Sequence, residues 1–86
     1  MSKEMLKQSM LIAVENQLKS NTPPETAATL ERLMSEGYSR QAALELIASV
    51  LISEVFDVVE SDEPYNENRY VSRLKQLPTL PFDEQT

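Results

Sequence analysis

The stretch GYSRQAALELIASVLISEVFDVVE, residues 37–60, decides the fold. Gly37 is the only glycine of the chain. A helix prefers glycine just past its last turn, because glycine takes positive φ without steric cost. Ser39 can then cap the next helix at once, its hydroxyl accepting a hydrogen bond from an otherwise unpaired amide. From Arg40 to Glu60 there is no Gly or Pro, and thirteen of the residues are Ala, Val, Ile, Leu or Phe. The polar residues Gln41, Glu45, Ser49, Ser53, Asp57 and Glu60 recur every three or four positions as one narrow stripe. Val50, Val55, Val58 and Val59 favour a strand locally, but the unbroken length and the stripe predict a helix. A helix that is apolar around most of its circumference needs cover on most sides. The chain is therefore predicted to be all-α, a bundle of about four helices around this long central one.

Reading outward, Thr22-Pro23-Pro24-Glu25 predicts a helix start before the Gly37 stop. Thr followed three residues later by Glu matches a capping box, and proline suits the first helical position. This second helix is predicted over roughly 23–36, with Ala27, Leu30, Leu33 and Met34 on its apolar face and Arg32 paired with Glu36. A first helix is predicted from about residue 3 to 19, burying Leu6, Met10, Ala13, Val14 and Leu18, with Glu15 and Lys19 paired outside. Met5 and Ile12 form a second, thin apolar stripe on its back. After residue 60, Ser61-Asp62-Glu63-Pro64 breaks the chain. Asn66 can cap a last helix near 67–76, with Tyr70, Leu74 and Leu77 on one side and Arg69 and Arg73 on another. Pro78 and Pro81 stop it. One domain over 1–78 and an extended or disordered acidic tail over 79–86 follow.

Composition narrows the function. At 86 residues the chain forms one small domain, which buries only about two-thirds of its unfolded surface and leaves no slack for a large internal pocket. Fourteen acidic residues against eight basic ones give a net charge of −6 without a basic cluster. Such a surface repels phosphates, which predicts no nucleic-acid partner and no anionic membrane. No apolar run approaches the roughly 20 residues of a membrane span, and the start does not read as a signal peptide. A soluble cytoplasmic protein is expected. With no His and no Cys, imidazole-based nucleophiles, thiolate metal sites and disulfides do not arise. One glycine is too few for a phosphate-cradling loop. No catalytic residue, no metal ligand and no cofactor is predicted.

One residue breaks the pattern. Glu54 lies at i+4 from Val50 and i+7 from Ile47, on the apolar face of the central helix. Gln17 falls close to the Leu6 and Met10 face of the first helix. A carboxylate on such a face is predicted to be buried and satisfied by Gln17, Tyr65, Arg69 or Arg73, because a bare buried charge costs several kcal/mol. A carboxylate pair of Glu15 with Glu54, holding a divalent cation through oxygen ligands, is the chemical alternative. A helix-turn-helix reader is rejected, since the helix after Gly37 is apolar and acidic rather than basic. The Gly37-Tyr38-Ser39 turn resembles the loop of ubiquitin-associated domains. However, Ser35 and Glu36 separate Met34 from the glycine, and the following helix is about twice as long as that fold permits.

A broader likeness rests on Ala13-Val14-Glu15-Asn16-Gln17-Leu18, Pro23-Pro24-Glu25, Leu30, Arg32-Leu33, Gly37-Tyr38-Ser39, Ala42, Ile47, Val50-Leu51, Glu54 and Tyr70 through Leu77-Pro78. In these the chain resembles small uncharacterised bacterial helical proteins and the C-terminal half of a bacterial family of unknown function. The resemblance implies a helical fold and a bacterial origin, and it implies no activity. Histidines on the first and third helices of that group have no counterpart here. Two functional classes remain. One is a non-enzymatic protein-interaction module, a homodimer or an adaptor, using Met5, Ile12, Ile52, Phe56 and Val59 as surplus apolar surface. The other is a small-ligand or divalent-cation-binding protein centred on Glu54.

Overall fold

A computed structural model describes residues 3–81. It contains four helices in order: α1 (Lys3–Ser20), α2 (Pro24–Ser35), α3 (Arg40–Ser61) and α4 (Glu67–Gln76), with no strand among the described residues. The fold is all-α, a bundle around a long central helix. Ion pairs Lys7–Glu45 and Arg40–Glu15, each 3.2 Å, set α1 antiparallel to the first half of α3.

The turn between α2 and α3 forms a Schellman motif. The Tyr38 amide donates to the Leu33 carbonyl and the Gly37 amide to the Met34 carbonyl, both at 3.1 Å, with Gly37 at φ +107°. The half-buried Tyr38 ring packs against the core beyond it. Ser39 Oγ accepts from the Ala42 amide at 3.1 Å and opens α3. Asn66 Oδ1 likewise accepts from the Arg69 amide at 3.0 Å and opens α4. At the other end of α3, Asp62 closes the helix in the left-handed region at φ 57°.

Three local expectations fail. The Thr22–Glu25 capping box does not form, because α2 starts at Pro24 with Pro23 as its N-cap, and Pro23 carries no side-chain acceptor. The Thr22 hydroxyl instead donates to the Ser20 carbonyl at 3.1 Å. The buried face of α2 is also turned from the expected one. Thr26, Thr29 and Leu33 point inward while Met34 is exposed. Two threonines can replace larger apolar residues there because the Thr26 hydroxyl finds a partner, and no buried side-chain polar atom among the described residues lacks one. Glu15 pairs across helices with Arg40 rather than along α1 with Lys19.

The core collects Val14, Leu33, Tyr70, Leu74 and Leu77 around Ala43, Leu44, Ile47, Ala48, Val50 and Leu51 of α3. Past Gln76 the chain keeps to the body, with Leu77 buried and Leu80 half-buried against the core. Of the tail expected over 79–86, residues 82–86 lie outside the described residues.

Nothing lies within 4 Å of the position a Cβ would take at Gly37. A side chain there therefore costs backbone strain rather than space. Gly37→Val is expected to lose about 1–3 kcal/mol, a fall in melting midpoint of several degrees, because a β-branched residue is least tolerant of positive φ. An unchanged thermal midpoint would place the helix boundary elsewhere.

Candidate functional site

Glu54 is 1% exposed, the only buried carboxylate among the described residues. It reaches the α3–α4 seam because it sits on the buried stripe of α3, one turn beyond Val50. Arg69 Nε donates to both of its oxygens at 3.0 and 3.2 Å. Arg73 Nη1 donates to Glu54 Oε2, to Asp57 Oδ2 at 2.7 Å and to Ser53 Oγ at 2.9 Å. Burial alone would lower the Arg73 pKa, but the Asp57 hydrogen bond and the Glu54 charge outweigh it and hold the guanidinium above its ordinary value. Two arginines one turn apart thus close on a single carboxylate, with Asp57 sharing the second cation.

Gln17 does not join this group. Its Oε1 accepts from Thr26 Oγ1 and from Tyr70 Oη, both at 2.8 Å. That one carbonyl ties α1 to α2 and to α4. Tyr70 is fully buried, and its ring lies 6.2 Å from that of Tyr65 in a tilted arrangement. Burial, with a smaller push from the Glu54 charge, raises the Tyr70 pKa. Arg32 adds a link the sequence reading missed. It pairs with Glu36 as expected, yet its Nη2 also donates to the Leu74 carbonyl at 3.1 Å, placing a cation at the C-terminal end of α4.

A metal at a Glu15–Glu54 pair has no geometric basis. Glu15 is held by Arg40 through two 3.2 Å contacts, and Glu54 is held by Arg69 and Arg73. No group of three or more His, Cys, Asp or Glu among the described residues could hold a metal ion.

The second feature is apolar and exposed. Beyond Glu54, α3 exposes all of its remaining apolar residues but the half-buried Val58, with Val55, Phe56 and Val59 at 41%, 55% and 73% exposure. Two shallow concavities flank this ridge. One, of about 260 Å³, is lined by Leu51, Glu54, Val55, Val58, Val59 and Tyr65. The other, of about 230 Å³, takes in Ile52, Phe56, Ser53, Asp57, Arg73 and Pro81. Both fall below the usual volume of small-molecule sites, which begins near roughly 300 Å³. Ile52, Phe56 and Val59 therefore belong to one ridge with a concavity on either side. Met5 and Ile12 are exposed on α1 and line neither concavity. Val55 and Tyr65 complete the ridge and were missed as surface residues. For Val55 the signal was present in its i,i+4 spacing to Val59, already read as surface.

No helix of the described residues is long and apolar enough to cross a membrane. Comparison of the chain with protein-family models, with curated proteins and with solved structures gives no match.

Glu54→Gln is expected to cost about 2–4 kcal/mol by leaving two guanidinium groups without their shared anion. Asp57→Asn should cost less, since Arg73 then keeps Glu54. Chemical denaturation of both variants checks the order, and equal losses would mean that Glu54 is not the main anchor.

Tyr70 gives a pH dependence with a definite sign. Its folded-state pKa is raised, so its contribution is complete below about pH 10, the ordinary phenol value, and is lost as pH rises through the folded value. Tyr70→Phe should flatten part of the alkaline loss of stability. An alkaline slope identical to that of the wild type would contradict this.

Proposed function

We propose that the chain is a cytoplasmic, non-enzymatic protein-interaction module whose working surface is the projecting end of α3. The observation that carries this reading is the change in the exposure of α3 along its length. Up to Glu54 its apolar residues are buried or half-buried, and beyond it Val55, Phe56 and Val59 are exposed. Clustered apolar surface of this kind on a small folded chain marks association sites. The reading covers both a second copy of the chain, giving a homodimer, and another protein, making the chain an adaptor. Met5 and Ile12 on α1 add a smaller apolar area outside it.

The alternative centred on Glu54 has less to support it. A divalent cation there must displace two guanidinium groups from the carboxylate they already share. A small ligand would find no buried polar side chain in want of a partner among the described residues.

The test pairs mass with mutation. Phe56→Ser with Val59→Ser should leave the melting midpoint within a few degrees, because exposed positions contribute little to stability. Sedimentation equilibrium at micromolar concentration then separates the two forms of the proposal. A wild type at twice the chain mass that the double variant returns to chain mass assigns the ridge to self-association. A wild type at chain mass, with photo-crosslinks to another protein from residues 56 and 59 but not from exposed Glu31, assigns it to an adaptor. Equal crosslinking from all three positions would remove the reading.

A further inference from the structure

Charge separates the two candidate occupants of the ridge. Residues 41–68 contain seven carboxylates and no Lys or Arg, so this segment carries −7 of the −6 net charge and the rest of the chain carries +1, from eight cations and seven carboxylates. Within the segment, Glu45 is paired with Lys7, Glu54 with both arginines and Asp57 with Arg73. Glu60, Asp62, Glu63 and Glu67 are exposed and have no ion pair among the described residues. These four follow or flank the ridge residues Val59 and Tyr65 in the chain. The last turn of α3 carries no basic residue. Glu60 and the capping Asp62 therefore stand at the negative end of the helix dipole, an arrangement that costs the isolated chain stability. A cationic partner would relieve it.

A second copy is a poor match for such a surface. Two-fold pairing puts the same acidic patch on both sides of the interface, so each copy would bring four unpaired carboxylates to a surface of the same sign. A partner with Lys and Arg around apolar anchors meets the ridge with opposite charge, which raises the association rate and discriminates against acidic competitors. The apolar row Leu51, Val55, Val58 and Val59 has spacings of four, three and one, the pattern one helix presents to another.

We infer that the α3 ridge docks a basic amphipathic helix of another protein, one with apolar residues at i, i+3, i+4 and i+7 flanked by Lys and Arg. This rests on the reading of the ridge as an interaction surface and names the chemistry of its occupant.

Three synthetic helical peptides of about 18 residues, or five turns, test it. One carries Leu at the anchor positions and Lys on the flanks, the second replaces every Lys by Glu, and the third keeps Lys but replaces Leu by Ser. Binding is measured by fluorescence anisotropy at low and high salt on the full chain. The Lys/Leu peptide should bind at least tenfold more tightly than either of the others and should weaken several-fold as salt rises. Val59→Ser should weaken it while leaving the melting midpoint in place, and Glu60→Gln together with Glu63→Gln should weaken it without lowering the midpoint. Equal binding of the Lys/Leu and Glu/Leu peptides overturns the charge selection and leaves the ridge as an interaction surface. A wild-type dimer that binds no peptide, and that Val59→Ser dissociates, overturns it in favour of self-association. Lys/Leu binding that Val59→Ser does not change, or a monomer that binds no peptide, overturns both the inference and the reading beneath it.

Discussion

The structure depends on one buried carboxylate. Glu54 lies in the seam between α3 and α4, and its desolvation would cost several kcal/mol if nothing answered its charge. Arg69 and Arg73 answer it from successive turns of α4, and Asp57 shares the second guanidinium. Burial of this charge with its partners fixes more than stability. α4 has only ten residues, too few to hold a helix in water without tertiary support. The charge pair fixes which face of α4 turns to α3, since any other rotation leaves an unanswered charge inside.

α4 is then fastened at two further points, each to a different helix. Tyr70 reaches across to Gln17, whose carbonyl also takes the Thr26 hydroxyl, so α1, α2 and α4 meet at a single oxygen. Arg32 of α2 takes the Leu74 carbonyl near the end of α4. The last helix is thus the piece that closes the bundle, although it is the shortest and has the most polar sequence. Its apolar residues Tyr70 and Leu74, with Leu77 just beyond, fill the core, while its arginines neutralise the anion beside it.

That closure has a consequence for surface chemistry. α3 runs for 22 residues, but α1 and α2 cover chiefly its first two-thirds, and α4 covers the Glu54 side. A small domain has too little material to enclose so long an apolar helix. The remainder, Val55, Phe56 and Val59, projects beside a group of unpaired acidic residues. The two halves of one helix therefore do different work, the first as core and the second as the surface on which an interaction role rests.

Much of this was legible in the residues. Gly37 and Ser39 set the α2–α3 boundary, and Asn66 set the start of α4, because caps are local hydrogen bonds made within a few residues of where they are written. The burial of Val14, Ile47, Val50, Tyr70 and Leu74 followed from helical periodicity. Glu54 stood out because a carboxylate on an apolar stripe is costly wherever the stripe is buried. What the sequence left open was set by distance along the chain. Thr22 read as a cap from its spacing to Glu25, yet the helix began one residue past Pro23 and the hydroxyl turned back to Ser20. Met34 read as core from its neighbours, yet α2 rotated to bury Thr26 and Thr29 once Gln17 could satisfy a threonine hydroxyl. The sequence by itself determined the number, limits and buried faces of most of the helices, since these depend on residues three or four positions apart. Only the tertiary structure decided the rotation of α2, the choice of Arg69 and Arg73 over Gln17 as partners for Glu54, and the joining of Val55 and Tyr65 to the exposed Phe56 and Val59, because each turns on residues brought together by packing from different helices.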